Sequence, residues 1–402
     1  MPVYLAPGVY VEEVPGTPPI VGVGTSTAAF IGVVDDAAPF QMPLKPQVPG
    51  NPPERYTITA LNTATLVTSF EQFKNKFGTF QTGNQVLAHA VFGFFLNGGN
   101  RAWVIRVADI DNAGEVTNAL LQLEKIDEIA IVAAPGARTA DVQTAIINHC
   151  EGLGDRFAFL DGQVTITIDV PSIQGTTPDS NYAALYFPQI QIADQTLVAQ
   201  GGVDIEEWKT AAGARIFLPP SGHMAGIYAR VDETRGVHKA PANETVRGAL
   251  ALEYLVTHNE QEGLNPDGVN VIRGFDGNLK VWGARTLGGD DNGEFKYINV
   301  RRLMNFMKES IDEGTQFVVF EPNNPQLWQK IVRAVTAFLT NVWRDGALFG
   351  LTPEEAFFVK CDETTNPPEV RELGQVVTEI GVAIVKPAEF VIFRISQVTL
   401  AA

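Results

Sequence analysis

Cysteine is nearly absent: Cys150 and Cys361 are the only two in 402 residues, too few and too far apart for a disulfide framework or a cysteine metal site. Basic residues are scarce as well. Against 46 Asp and Glu there are 29 Lys and Arg, a formal net charge of −17, which argues against sequence-independent binding of nucleic acid or anionic membrane and leaves room only for a local basic stripe. No run reaches the ~20 apolar residues of a membrane helix. Residues 1–8 carry neither a positive segment nor an apolar core, so neither export by signal peptide nor membrane insertion is expected. The five histidines (His89, His149, His223, His238 and His258) show no metal-ligand spacing, and His149 is merely adjacent to Cys150. There is no internal repeat and no low-complexity tract.

What is present is a globular composition: 45% hydrophobic and only 19% charged, which points to a sizeable core and to much surface being interface. The length exceeds a single core and predicts at least two domains. The acid is concentrated. Residues 107–214 hold four Lys/Arg (Lys125, Arg138, Arg156, Lys209) against sixteen Asp/Glu, so this segment is expected to face solvent.

Apolar strand patterns at residues 28–34, 102–107, 129–132 and 157–160 alternate with helical patterns at 69–77, 84–96, 115–124 and 140–150. That alternation is the signature of a layered α/β fold with a mostly parallel sheet. Residues 182–192, 215–218, 222–230, 269–273 and 279–285 continue it. Gly288-Gly289-Asp290-Asp291-Asn292-Gly293 reads as a linker. A compact α+β segment follows: helix 299–312, strand 317–320, helix 325–345, and strands 357–360 and 376–385. The domains expected are thus a 1–20 arm, an α/β outer domain over 21–290, an α+β domain over 291–386 and a 387–402 arm.

Both arms read as strands without local partners. Val9-Tyr10-Val11-Glu12-Glu13 follows Pro7-Gly8, and Phe390-Val391-Ile392-Phe393-Arg394-Ile395 follows Pro387-Ala388. Unpaired N–H and C=O groups invite another chain.

Motifs that imitate catalytic sites fail on context. Gly22-Val23-Gly24-Thr25-Ser26-Thr27 precedes a strand instead of linking strand to helix, and no Lys-Ser/Thr closes it; it reads as a hinge. In Ser221-Gly222-His223 the spacing supports no triad, and Ser221 after Pro219-Pro220 reads as a helix N-cap. The acid pairs Asp35-Asp36 and Asp290-Asp291 read as solvated turns. No catalytic, cofactor or metal residue is assigned.

The helix from Pro325 carries the sharper signal. Its apolar residues cover a wide face, and at 100° per residue Lys330, Arg333, Ala337, Asn341 and Arg344 fall on the narrow remaining stripe. This is either an ordinary solvated face or a docking strip for an acidic partner.

Taken together, the chain closely resembles the tail sheath proteins of contractile phages and contractile injection systems. The resemblance is carried by residues 7–13, by Phe95-Leu96-Asn97-Gly98-Gly99 before Trp103-Val104-Ile105-Arg106-Val107, and by Pro219-Pro220-Ser221-Gly222. It continues in residues 235–243, in Val281-Trp282-Gly283-Ala284-Arg285-Thr286-Leu287 and in Tyr297-Ile298-Asn299-Val300-Arg301-Arg302-Leu303. It closes in Phe320-Glu321-Pro322-Asn323, Phe357-Phe358-Val359-Lys360-Cys361-Asp362 and Pro387-Ala388-Glu389-Phe390-Val391.

The resemblance implies hexameric rings stacked helically around an inner tube, with baseplate and terminator proteins at the ends and no active site, cofactor, nucleic-acid partner or membrane insertion. Both arms (Val9, Tyr10, Val11, Glu12; Phe390, Val391, Ile392, Phe393, Ile395) would pair into neighbouring subunits. A helix of the C-terminal domain faces the tube, a role carried onto Lys330, Arg333, Asn341 and Arg344. Assembly in the cytoplasm of a bacterial producer, then service in a virion tail or an extracellular particle, is implied too. The rivals from the residues themselves are a doubly wound α/β enzyme or binding protein, and another tail component such as tube or baseplate.

Overall fold

The computed structural model describes residues 19–34, 58–199, 208–210 and 214–394. The first arm, with Val9, Tyr10, Val11 and Glu12, and Ile395 of the second lie outside the described residues. The chain forms two compact units: Val23–Glu309, rejoined from Ile384 onward, and Ser310–Ala383, joined by the segment ending at Gly22.

The larger unit is built on an eight-stranded sheet. Its strands are β1 (Ala28–Val33), β2 (Thr65–Val67), β3 (Ala102–Val107), β4 (Ile131–Ala133), β5 (Phe157–Asp161) and β6 (Ala183–Phe187). β7 (Ile190–Ala193), β8 (Leu197–Ala199), β9 (Trp208–Thr210), β10 (Arg215–Leu218) and β11 (Ala249–Leu252) lie outside it, and β12 (Val269–Phe275) and β13 (Asn278–Val281) complete it. The order is β13-β12-β6-β5-β4-β1-β3-β2, parallel throughout the centre, with β13 and β2 antiparallel at the two edges. β10-β7-β11 form a separate antiparallel sheet, and β8 pairs with β9.

Helices cover both faces, so the central strands are apolar on both sides. Ala28 and Phe30 of β1 enter one core, with α1 (Phe70–Phe77), α2 (Gln85–Asn97) and, later in the chain, α6 (Ser221–Arg235). Ala29 and Ile31 enter the other, with α3 (Ala113–Leu123), α4 (Ala140–Leu153), α5 (Val170–Gln174) and α7 (His258–Leu264). The period of two in a strand dictates this split. α2 and α6 touch at glycine: a Cβ on Gly226 would lie 2.3 Å from the Phe94 carbonyl oxygen.

The acid-rich segment does not stand apart from this body. Its strands β4 to β6 are fully buried, and most of its described carboxylates, such as Asp109, Asp127 and Glu151, are exposed on helices and turns while Asp161 is buried. Segment 288–293 is likewise no open linker. It winds into a 3-10 turn whose Asp290 amide donates to the Pro266 carbonyl at 2.7 Å, and Gly289, at φ 47°, lies so close that a Cβ would fall 1.9 Å from that oxygen. Asp290, expected to be free, pairs with Arg285 and Lys296, both at 3.1 Å.

α8 (Ile298–Thr315) begins in the larger unit and ends in the smaller, which also holds α9 (Pro325–Arg344), α10 (Pro353–Ala356), β14 (Phe357–Lys360), α11 (Pro368–Glu372) and β15 (Glu379–Val382). α9 packs on β14 through a buried face of Leu327, Trp328, Ile331, Val335, Phe338, Leu339 and Val342. The strand expected at 317–320 is absent. Residues Gln316–Val318 form a 3-10 turn, successive amides of Val319 and Glu321 donate back to Gln316 and Val318, and Phe320 takes φ 67° with its ring fully exposed. Apolar character alone does not make a strand where the backbone bonds close locally.

Candidate assembly surfaces

α9 starts where its sequence says. The Asn324 side chain accepts from the Leu327 amide at 3.0 Å, Pro325 occupies the first turn, and Gly346 follows the end at φ 80°. Its outer stripe is open: Lys330, Arg333, Asn341 and Arg344 are all exposed, and no carboxylate pairs with the three cations among the described residues. The smaller unit's 310–383 segment holds five Lys/Arg against eleven Asp/Glu, and three of those five lie on this stripe. Such segregation on an acidic unit exceeds what one favourable Arg at a helix C-terminus requires.

β14 and β15 form an antiparallel pair, Phe357 opposite Val382 and Lys360 opposite Glu379, and no third strand joins either edge among the described residues. The buried Asn366 fastens their connection, donating to the Val377 carbonyl at 3.0 Å and accepting from its amide at 2.7 Å. Phe358 is 57% exposed in the middle of the ladder. The pair is backed on one side by α9, and its edges, free of a third strand among the described residues, are the kind that another chain can extend.

From Ile384 the chain belongs to the larger unit again. The Glu389 carboxylate accepts from Arg285 Nε and Nη2, both at 2.9 Å, from Tyr297 Oη at 2.9 Å and from Asn265 Nδ2 at 2.6 Å. Burial opposes ionisation there, yet Arg285 and the other donors hold this carboxyl below its usual range. Past it, Phe390, Val391, Ile392 and Phe393 are 71%, 69%, 76% and 84% exposed and make no ladder. Glu389 has no periodic signal. It was legible only as part of the Pro387-Ala388-Glu389-Phe390-Val391 match.

At the carboxyl ends of the parallel strands, where a doubly wound fold binds ligands, the chain fills its own site. The buried Asp161 carboxylate accepts from the Ser221 amide (3.0 Å) and hydroxyl (2.7 Å) and from the Gly136 amide (3.1 Å), occupying the N-terminus of α6 where an external anion would sit. Burial pushes this carboxyl up, against the pull of Arg138 and these donors. Ser221 is therefore the first residue of α6 and not its N-cap, which is Pro220. Its hydroxyl is committed to Asp161, while the buried His223 lies against Gly93 with Nδ1 unbonded. Thr25, expected in a free hinge, is pinned: its hydroxyl donates to Asp232 at 2.7 Å and its carbonyl accepts from Arg302 at 2.9 Å.

Two histidines, the buried His223 and the half-buried His149, predict a pH dependence for the larger unit. Burial lowers His223 from 6.5 to about 4, and burial beside Arg156 lowers His149 likewise to about 4. Both are neutral in the fold, so the unfolded chain binds more protons between these values. Stability is complete above about pH 6.5 and falls as pH drops toward 4, by roughly 3 kcal/mol for His223 alone, with Asp161 acting in the opposite sense. Urea midpoints at pH 7.5, 6 and 4.5 should decline, and His223→Gln should flatten the decline; an equal slope in the variant assigns it elsewhere.

A three-layer α/β body, and a small unit with a strand pair unextended among the described residues and an exposed basic helix face, is the form of a structural building block. Residues 113–287 match the phage tail sheath protein central domain, and residues 290–398 the phage tail sheath C-terminal domain. The sheath complex of PVC, an extracellular contractile injection system, solved in its contracted state, is 30% identical with a TM-score of 0.74 over 99% of each chain. The contracted helical sheath of the anti-feeding prophage is 28% identical with a TM-score of 0.73, covering 98% of this chain and 100% of that one. The tail sheath protein of Vibrio phage KVP40 is 29% identical over 181 residues, 44% of this chain but 26% of that longer protein. The chain belongs to the phage tail sheath family.

Proposed function

We propose that the chain is a contractile sheath subunit that polymerises as stacked hexameric rings around an inner tube and drives that tube through a target envelope. The observation that carries this reading is the β14–β15 pair, a two-stranded sheet backed by α9 with no third strand on either edge among the described residues. Terminal arms from neighbouring copies complete it: residues 9–13 from one and 390–395 from another. The sheath therefore stays connected while globular bodies slide. Contraction releases a metastable extended lattice into one burying more interface between bodies, with no nucleotide consumed, since only a difference between states can do work. The carboxylate seated at the N-terminus of α6 supports a non-enzymatic role.

The exposed stripe of α9 (Lys330, Arg333, Asn341, Arg344) docks on the acidic outer face of an inner tube protein. Baseplate and terminator proteins cap the stack; nucleic acid and direct membrane insertion have no part. Assembly takes place in the cytoplasm of a bacterial producer, and the particle then serves as a virion tail or an extracellular injector.

Negative-stain microscopy of the expressed protein should show ribbed cylinders, and monodisperse monomers at high concentration would overturn the reading. Charge reversal at Lys330, Arg333 and Arg344 should weaken sheath on tube most at low salt, the difference from the parent shrinking as salt screens the charges. Each pair is worth ~0 to 1 kcal/mol, so the effect comes from the sum over many copies. Co-assembly with tube that is indifferent to the reversal makes the stripe plain solvated surface.

A further inference from the structure

We propose that Glu389 is a positioning residue, the fixed point from which the C-terminal arm is aimed at its neighbour; this rests on the reading of that segment as a lent strand. Four donor groups on three residues converge on one carboxylate at the last ordered contact before the arm. Arg285, whose side chain is 4% exposed, supplies two of them, from its Nε and Nη2, and Asn265 and Tyr297 the rest. Arg285 is itself held from behind. Its Nη1 donates to the Asn265 carbonyl at 3.2 Å, and Asp290 lies 3.1 Å away. The neighbouring Asn299 adds a bond to the Val385 carbonyl at 3.3 Å. The very next residue, Phe390, is 71% exposed, so burial ends within one residue of the clasp.

A paired and multiply bonded carboxylate fixes direction as well as position, because bidentate contact with a guanidinium constrains both. The arm's first free residue thus starts from a set point on the larger unit. Without it the same arm searches a wider volume, and its effective concentration at the neighbour's sheet drops. Pull on the arm passes through this clasp into the α/β body, not into the small unit that the chain has just left at Ala383.

The test compares the threshold concentration for cylinder formation in the full chain, in Glu389→Gln, in Tyr297→Phe and in a truncation that ends at Glu389. Glu389→Gln should raise the threshold about tenfold, consistent with weakened charge-assisted bonds, while its monomer melts close to the parent. Tyr297→Phe should raise it less. An unchanged threshold in a folded Glu389→Gln protein overturns the inference; should that variant fail to fold, Tyr297→Phe decides in the same way. Truncation after Glu389 keeps the clasp and removes the arm. If the truncated protein polymerises, the lent-strand reading fails; if it does not while Glu389→Gln polymerises normally, only the clasp fails.

Discussion

Removing residues 1–14 or 388–402 should abolish polymerisation and leave a folded monomer. The described part of the second arm contributes nothing to either core: Phe390 to Phe393 are exposed, and the residues of both buried clusters lie elsewhere. Loss of Glu389 does not strand Arg285, which keeps Asp290 as a partner at 3.1 Å. Ordering about ten arm residues costs ~1 to 2 kcal/mol each in backbone entropy, while each ladder hydrogen bond returns only ~0.5 to 1.5. Backbone pairing alone barely breaks even. Burial of the Val and Phe side chains, at ~1.5 to 3 kcal/mol each, would tip the balance, so on the proposed reading ordering of the arm depends on a neighbour. Sedimentation and microscopy would show monomers at every concentration, with unchanged circular dichroism. Normal tubes from both deletions would refute the arm model.

Asp232→Ala should destabilise the larger unit by ~3 to 5 kcal/mol, a large share of the ~5 to 15 typical of a domain. Asp232 and Arg302 are each 4% exposed, and the guanidinium meets the carboxylate twice, at 2.9 and 2.6 Å. The same guanidinium lies 4.9 Å from the Tyr228 ring centre. Three distant stretches, at Thr25, α6 and α8, are therefore joined at one buried charge pair. Alanine leaves Arg302 charged and buried with no carboxylate opposite it, held only by the Thr25 carbonyl and the Tyr228 ring. The double variant Asp232→Ala, Arg302→Met should recover part of the loss in urea unfolding, because the cost lies in the orphaned charge more than in the missing bond. Equal loss in both would assign the effect to packing around α6.

The layered α/β sheet was legible because its strands are continuous apolar runs separated by helix-length segments. β1 and β3 fall within a residue of their expected ends, and α9 begins at Pro325 as expected. Elements decided by pairing were not legible: three-residue β2 is a strand only because β3 lies beside it. Residues 317–320 failed in the opposite sense, an apolar run with no ladder to join. The α9 stripe followed from helical geometry alone, and all four of its named residues are exposed. Glu389, Asp161 and the Arg302–Asp232 pair depend on side chains meeting across more than fifty residues of sequence. No local pattern encodes them.

The open edges of β14 and β15 make an unassembled copy a hazard to its own kind. Exposed ladders template contact with any extended peptide, a familiar route to clumping. The net charge of −17 works against that hazard, since mutual repulsion opposes unguided contact between free copies. Acidity in this molecule therefore counts against accidental pairing, while in segment 310–383 three of the five cations sit together on the exposed stripe of α9.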